Sequence, residues 1–521
     1  MSVAYWDSLP NRETVRAIGR VILRVGKREI FGVVMHSHRP EAQGSQNEGR
    51  GEAVDGSFGW FGAGGAREVM TLAWPLMLST GLYSITLFTD RMLLYWKSDE
   101  AASAAMSAGS LFWTITCVPM GLIGYTSTFV AQYMGVGRLE RARRSVVQGL
   151  WLALFLLPLL IPVGLGIGAI FEWSGHEEVL RREETTYFRW LCPAAVAMFF
   201  SAALTGWFAG IGKTRVLLGC DLIATIVNIL LDFLLIFGWG SIPAMGVPGA
   251  AMATSVAMIV KALLLAWLMR EAWKEMPQQQ DEPTGADRPR GAIEWPLMTR
   301  LVRFGSPAGL HVLAESVSFS LILLLVGRLG AQSMAATTLA LGVNLLAFVP
   351  INGLGMAVAV LVGQRLSAGQ VELAQRTVRS GMMIAVGYTT IFAVAYGLFP
   401  NEVLTLYGLG TDPERFEKMR PLLLPLLRFI AAYCMLDAVQ ILLISALKGA
   451  GDTRFVFVAS LLIGAVVVIG GEVLGQRLGG GLNWWWGVIT AWVAIMAIVF
   501  GIRYRLGAWK QMRVIDMKEF D

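Results

Sequence analysis

Cysteine and histidine are scarce, at four residues each among 521. Cys117, Cys192, Cys220 and Cys434 sit inside apolar runs and form no C-x-x-C pair. They read as small core hydrophobes, which excludes a disulfide framework and a thiolate metal site. His36, His38, His176 and His311 form no pair at ligand spacing within an apolar run, so no resident metal is expected. Charge is scarce too, since Asp, Glu, Lys and Arg make up 15% of the chain against about 25% in soluble domains. No G-x-S-x-G elbow occurs in a strand–turn–helix setting. Gly206 to Thr214 looks like a phosphate-binding loop, but five residues rather than four separate Gly206 from Gly212, and the stretch ends an apolar helix. These absences exclude a soluble enzyme, leave an intramembrane enzyme as a weak rival, and imply no cofactor. No apolar leader with a small-residue cleavage site is present near the start, so no signal peptide is expected.

What the chain has is apolar length. Hydrophobic residues make up 55% and the mean hydropathy is +0.58. Twelve apolar segments are long enough to cross a bilayer: 69–95, 105–133, 146–171, 188–210, 217–237, 247–269, 304–328, 335–363, 378–399, 422–447, 455–473 and 484–503. The expected fold is an all-α polytopic membrane protein with twelve transmembrane helices in two six-helix lobes. The N-lobe spans 67–270 and the C-lobe 304–505, joined by a polar linker over 271–303. A largely disordered arm (1–66), expected to be dispensable, precedes them, and a tail (506–521) follows. Pro75, Pro119, Pro307 and Pro350 are candidate bends.

The pI of 9.2 and net charge of +6 do not point to nucleic acid, because the positive charge gathers in alternate loops. Lys and Arg number 31 on one side, which includes both termini and the linker, and 8 on the other. That bias places both termini and the linker in the cytoplasm of a multi-pass protein of the cytoplasmic membrane.

The two lobes repeat one another. Trp74-Pro75 answers Ser306-Pro307, and Gln132, Gly137 and Ala142 answer Gln364, Gly369 and Ala374, all at an offset of 232 residues. G-I-G-K-T-R (Gly210 to Arg215) answers G-A-G-D-T-R (Gly449 to Arg454) at 239. A duplicated bundle whose halves face each other is how many secondary transporters build a central site and rock around it.

Acids inside the apolar segments are the functional suspects, since a carboxylate there costs roughly 2.5–3.5 kcal/mol on insertion scales and needs a partner, a wet cavity or a proton. Asp90 shares a face with Thr86 and Tyr83, and Asn228 and Asp232 are i,i+4 on the fifth segment. An interfacial position is the alternative for Asp90, beside Arg91, and for Asp232, near its helix end. His311, Glu315 and Ser318 share one face of the seventh segment, and Tyr433 and Asp437 are i,i+4 on the tenth. Lys261, in the middle of the sixth segment, either counters an acid of its own lobe or snorkels to the interface. Trp113, Phe348 and Met356 are candidate cleft-lining residues, with lipid-facing packing as the alternative.

With these residues in hand, residues 68–505 resemble the multidrug and toxic compound extrusion (MATE) family. The resemblance rests on N-I-L-L-D-F-L-L-I-F-G (Asn228 to Gly238), G-V-P-G-A-A-M-A-T (Gly246 to Thr254), V-G-Q…G (Val362 to Gly369) and L-K-G-A-G-D-T-R (Leu447 to Arg454). It implies an antiporter that expels organic, often cationic compounds in exchange for H⁺ or Na⁺. NorM-like members carry cation-site acids on the seventh and tenth helices with a nearby tyrosine, matched by Glu315, Asp437 and Tyr433. DinF-like members use an Asp on the first helix with Asn-x-x-x-Asp on the fifth, matched by Asp90, Asn228 and Asp232. The expected partners are small organic substrates and membrane lipids, with no nucleic acid, and a monomer is expected. No cofactor is implied and no metal beyond a Na⁺ at the coupling acids. The alternative is a lipid-linked oligosaccharide flippase of the same broad superfamily, which would need a cationic cavity.

Overall fold

In hydrocarbon every backbone N–H and C=O must be satisfied within the protein, and a helix does this inside one segment. The computed structural model describes residues 62–173, 176–240, 242–275, 291–407 and 413–516. Twelve of its helices are long and apolar enough to cross a membrane. The expectations for residues 1–61, most of the arm, for 276–290 within the linker and for 517–521 of the tail fall outside the described residues.

Spans one to six are the helices Ala66–Lys97, Asp99–Gly124 continued by Thr126–Gly135, Leu139–Leu156 continued by Leu160–Trp173, Glu178–Gly210, Thr214–Phe237 and Val247–Glu275. Spans seven to twelve are Trp295–Gly327, Ala331–Ser367, Val371–Leu398, Pro413–Ala450, Thr453–Leu478 and Leu482–Leu506. A short helix, Pro400–Tyr407, lies between spans nine and ten. The helices run on past the apolar segments. Span four begins ten residues before the expected 188, and span seven begins at Trp295 inside the expected 271–303 linker, whose first residues, to Glu275, are still span six. Hydropathy marks the immersed part of a helix, while the backbone goes on pairing with itself beyond it. The helices also run unbroken through Pro75, Pro119, Pro307 and Pro350. Helix assignment is interrupted at Tyr125 and at the 3₁₀ turn Leu157–Leu159, which holds Pro158.

Each lobe has its own core. Leu93, Leu94, Phe112, Phe171, Phe188 and Ile236 cluster in the N-lobe. Leu423, Leu427, Ile430, Tyr433 and Trp486 do so in the C-lobe. The lobes meet through spans one and eight and spans two and seven. A side chain on Gly121 would strike the backbone of Gly309, and one on Gly353 would strike the backbone of Met77. These two contacts are related by the 232-residue offset read in the sequence. Small residues here let backbones touch, the usual basis of helix association in lipid.

The repeated motifs close four helices in the same way. Gly137, Gly369, Gly212 and Gly451 have φ of 72°, 76°, 79° and 111°. The next residues, Arg138, Gln370, Lys213 and Asp452, return N–H bonds of 2.8–2.9 Å to Tyr133, Arg365, Phe208 and Leu447. Glycine takes the left-handed backbone that this helix ending needs. The face carrying these four turns holds the Lys- and Arg-rich loops and is the basic end of the bundle.

Candidate functional site

The N-lobe brings together the acids of spans one and five. Asp90 is 4% exposed and Asp232 is fully buried, so neither carboxyl is open at the protein surface. Tyr187, from span four, donates its hydroxyl to Asp90 Oδ2 at 3.1 Å. The Asp90 and Asp232 carboxyls are near enough for a proton on one to bond to the other. Without such a proton, Asp90 Oδ1 and both oxygens of Asp232 have no hydrogen-bond partner. Asn228 donates to Thr254 Oγ1 on span six at 3.3 Å and leaves its own Oδ1 unpartnered. Thr86 donates to Thr225 at 3.2 Å one turn away. Four buried oxygens of Asp90, Asp232 and Asn228 without partners give the N-lobe a cluster chemically able to hold a proton or a small cation. Tyr187 and Thr254 were missed in the sequence, because nothing local marks a hydroxyl that reaches across from another span.

In the C-lobe, Glu315 Oε1 and His311 Nε2 also make no hydrogen bond, and Glu315 is near enough for its charge to act on Asp437. Lys448 donates to His311 Nδ1 at 3.1 Å, and His311 Nε2 lies 3.3 Å from Glu315 Oε1. An ammonium can only donate, so His311 carries its ring proton on Nε2, toward the carboxylate. Tyr433 accepts a 2.8 Å bond from Asn344. Asp437 lines a narrow crevice with Asn344, Phe348, Thr389 and Cys434, and Glu315 is not part of that lining.

Lys261 is paired rather than free in the cleft. Its ammonium bridges to Asp221, which also accepts a bond from Ser79. The partner is thus an acid of its own lobe. Trp113, Phe348 and Met356 are 41%, 40% and 39% exposed. Phe348 and Met356 share one helix face with Asn352. That face lies between Gly355, against Ser445 of span ten, and Gly353, against span one.

At the basic end the lobes are tied across their interface. Gln132 donates to Gly449 O at 3.0 Å, and its repeat mate Gln364 donates to Gly210 O at 2.7 Å. Tyr125 donates to Lys448 O at 2.7 Å, and Arg365 pairs with Glu68 at 2.6 Å. The described part of the tail is part of this closure. Trp509, Val514 and Ile515 are buried, Val514 N–H donates to Gln132 Oε1 at 2.8 Å, and Arg513 donates to Leu366 O at 2.9 Å. The tail's apolar residues gave no signal as a span, being too few, yet enough to dock.

A family model described as MatE matches residues 75–234 and again 307–472. The chain belongs to the MatE family. Solved structures agree in fold. "Crystal structure of MATE in the straight conformation" is 21% identical, with 87% of this chain and 98% of that one covered at a TM-score of 0.76. "Outward-facing conformation of a multidrug resistance MATE family transporter of the MOP superfamily" is 21% identical, with 86% and 97% covered at 0.76. A MOP superfamily transporter from Pyrococcus furiosus Vc1, described by a "reverse polarity of binding pocket", is 21% identical, with 86% and 97% covered at 0.75. MATE proteins are ion-coupled multidrug transporters, not enzymes. In this MATE chain the two matched stretches begin at Pro75 and Pro307, the first pair of the repeat.

Proposed function

We propose that this MATE transporter is an antiporter of the cytoplasmic membrane that exports organic cations in exchange for H⁺ or Na⁺. Its coupling site is Asp90 with Asp232, Asn228, Tyr187 and Thr254. The observation that carries the reading is the buried Asp90–Asp232 pair with its unpartnered oxygens. Two ionised carboxylates side by side in hydrocarbon repel each other and are poorly solvated, so the pair holds a proton or a cation when loaded. The approach of the two carboxyls favours H⁺. Glu315, Asp437 and Phe348, with Trp113 and Met356, supply the anionic and apolar lining for the organic cation. The basic end is the cytoplasmic end, so its ties hold the entrance shut and the cleft faces outward. Proton and substrate then act on opposite states, since a ligand that binds both states equally shifts nothing.

A flippase for lipid-linked sugars fits less well. It needs free positive charge in the cavity, and Lys261 is paired with Asp221.

The test is ethidium binding to purified protein as a function of pH and of Na⁺. Acidification at fixed salt should displace the dye from the wild type at least tenfold, because linkage between two ligands is reciprocal. Asp90→Asn and Asp232→Asn should each bind dye and lose that displacement. Wild-type displacement in both variants would overturn the assignment. Displacement by Na⁺ alone at fixed pH would make Na⁺ the ion.

A further inference from the structure

The polar residues of spans one and five keep the same spacing over eleven residues. Span one presents Ser79, Tyr83, Thr86 and Asp90, and span five presents Asp221, Thr225, Asn228 and Asp232. Each set steps by four, three and four, which keeps it on one helix face. Both helices start at the basic end, so the two sets run side by side, matched at their first and last members, with Thr86, third on span one, meeting Thr225, second on span five. Ser79 bonds to Asp221, Thr86 bonds to Thr225, and Asp90 faces Asp232. Span six runs the other way and supplies Lys261 at the first rung and Thr254 at the third. The ladder extends about 16 Å along the helix axis, from the acid pair toward the basic end.

The first rung differs in kind from the last. Asp90 and Asp232 are buried, while the side chains of Asp221 and Lys261 remain 17% and 21% exposed. Lys261 is the charged group that faces Asp221, with Cys220 beside it on the same span and Tyr83 one turn along span one. An ion pair that merely fills a core gains little over apolar residues of similar volume. One placed at the end of a line of hydroxyls, partly open and in register with the coupling acids, serves transfer.

We infer that Asp221, held by Ser79 and Lys261, is the inward proton-release station of the N-lobe. The inference rests on the coupling role of Asp90 and Asp232. A proton leaving that pair passes along the hydroxyls of Thr86 and Thr225 and the water between them to Asp221. The neutral acid then lets go of Lys261. Loss of the proton to the basic side restores the carboxylate and its ion pair, and charge balances at each step.

The experiment uses the full chain in proteoliposomes loaded with ethidium. Four quantities are read: dye affinity, displacement of dye by acid, dye–dye exchange without a gradient, and dye transport driven by an imposed proton gradient. Asp221→Asn should keep the first three and lower gradient-driven transport at least tenfold. The double variant Asp221→Leu with Lys261→Met removes the charge pair without leaving a lone buried charge, and should show the same loss. Wild-type dye affinity in either variant certifies its fold. Gradient-driven transport within twofold of wild type in the double variant would overturn the station and leave the pair as packing. Loss of acid displacement in Asp221→Asn would also overturn it, by making Asp221 part of the loading site. Failure of the underlying reading has a different signature, namely wild-type acid displacement in Asp90→Asn.

Discussion

At the scale of single residues, the two lobes treat their acids differently. Among the described residues the N-lobe sets two carboxyls together without an ion pair, while the C-lobe sets Glu315 3.3 Å from an imidazole and Asp437 in a crevice. On the proposed reading the C-lobe acids hold the organic cation and the N-lobe pair holds the coupling ion. Glu315→Gln and Asp437→Asn should therefore weaken dye affinity by about tenfold, the equivalent of one lost charge contact of roughly 1.4 kcal/mol. They should leave displacement by acid intact, the reverse of the Asp90 and Asp232 variants. Dye titrations at two pH values separate the patterns, and loss of displacement in the C-lobe variants would move the coupling site there.

Residue types told only part of this in advance. Asp90, Asn228 and Asp232 were legible because an acid in an apolar run is conspicuous. Tyr187 was not, because a tyrosine on span four looks like any buried aromatic until it is seen 3.1 Å from Asp90. Lys261 drew notice as a charge, but its partner Asp221 did not, being seven residues from the start of span five and passing for an interfacial residue.

At the scale of helices, the apolar segments placed the spans and the repeat placed the turns. What sequence hydropathy could not give was helix length, since charged residues outside the hydrocarbon extend a helix without making it apolar. Span four shows this, where Glu184 is buried against His176 at 2.9 Å in the part beyond the apolar segment. The close backbone contacts between lobes give a sharp prediction. Gly353→Leu should lower stability by about 1–3 kcal/mol, as overpacking of a fitted interface does, and its repeat mate Gly121→Leu should act alike. Gly212→Ala, at φ 79° with no backbone clash, should cost about 1–2 kcal/mol through its left-handed conformation alone. Thermal unfolding in detergent measures all three, and a stabilised Gly353→Leu would contradict the packing described.

At the scale of the whole molecule, the ties at the basic end decide which way the cleft opens. Gln132→Ala combined with Gln364→Ala removes both repeat-related bonds, each worth about 1 kcal/mol net. The double variant should expose a cysteine placed at Ala131, buried next to Gly363 across the interface, and raise its labelling rate at least tenfold. An unchanged rate would mean that the other ties hold the closure alone. Orientation is tested separately. A cysteine placed at Gly291, between spans six and seven, should stay unlabelled by an impermeant thiol reagent in intact cells.

Gln132 and Gln364 are repeat mates, but among the described residues only Gln132 also receives the tail, through the N–H of Val514. The two halves are thus unequal partners in holding the entrance shut. A single extra bond of about 1 kcal/mol multiplies the closed population roughly fivefold. The last stretch of polypeptide acts as a thumb on the balance, setting how long an empty carrier waits with its back to the side it loads from.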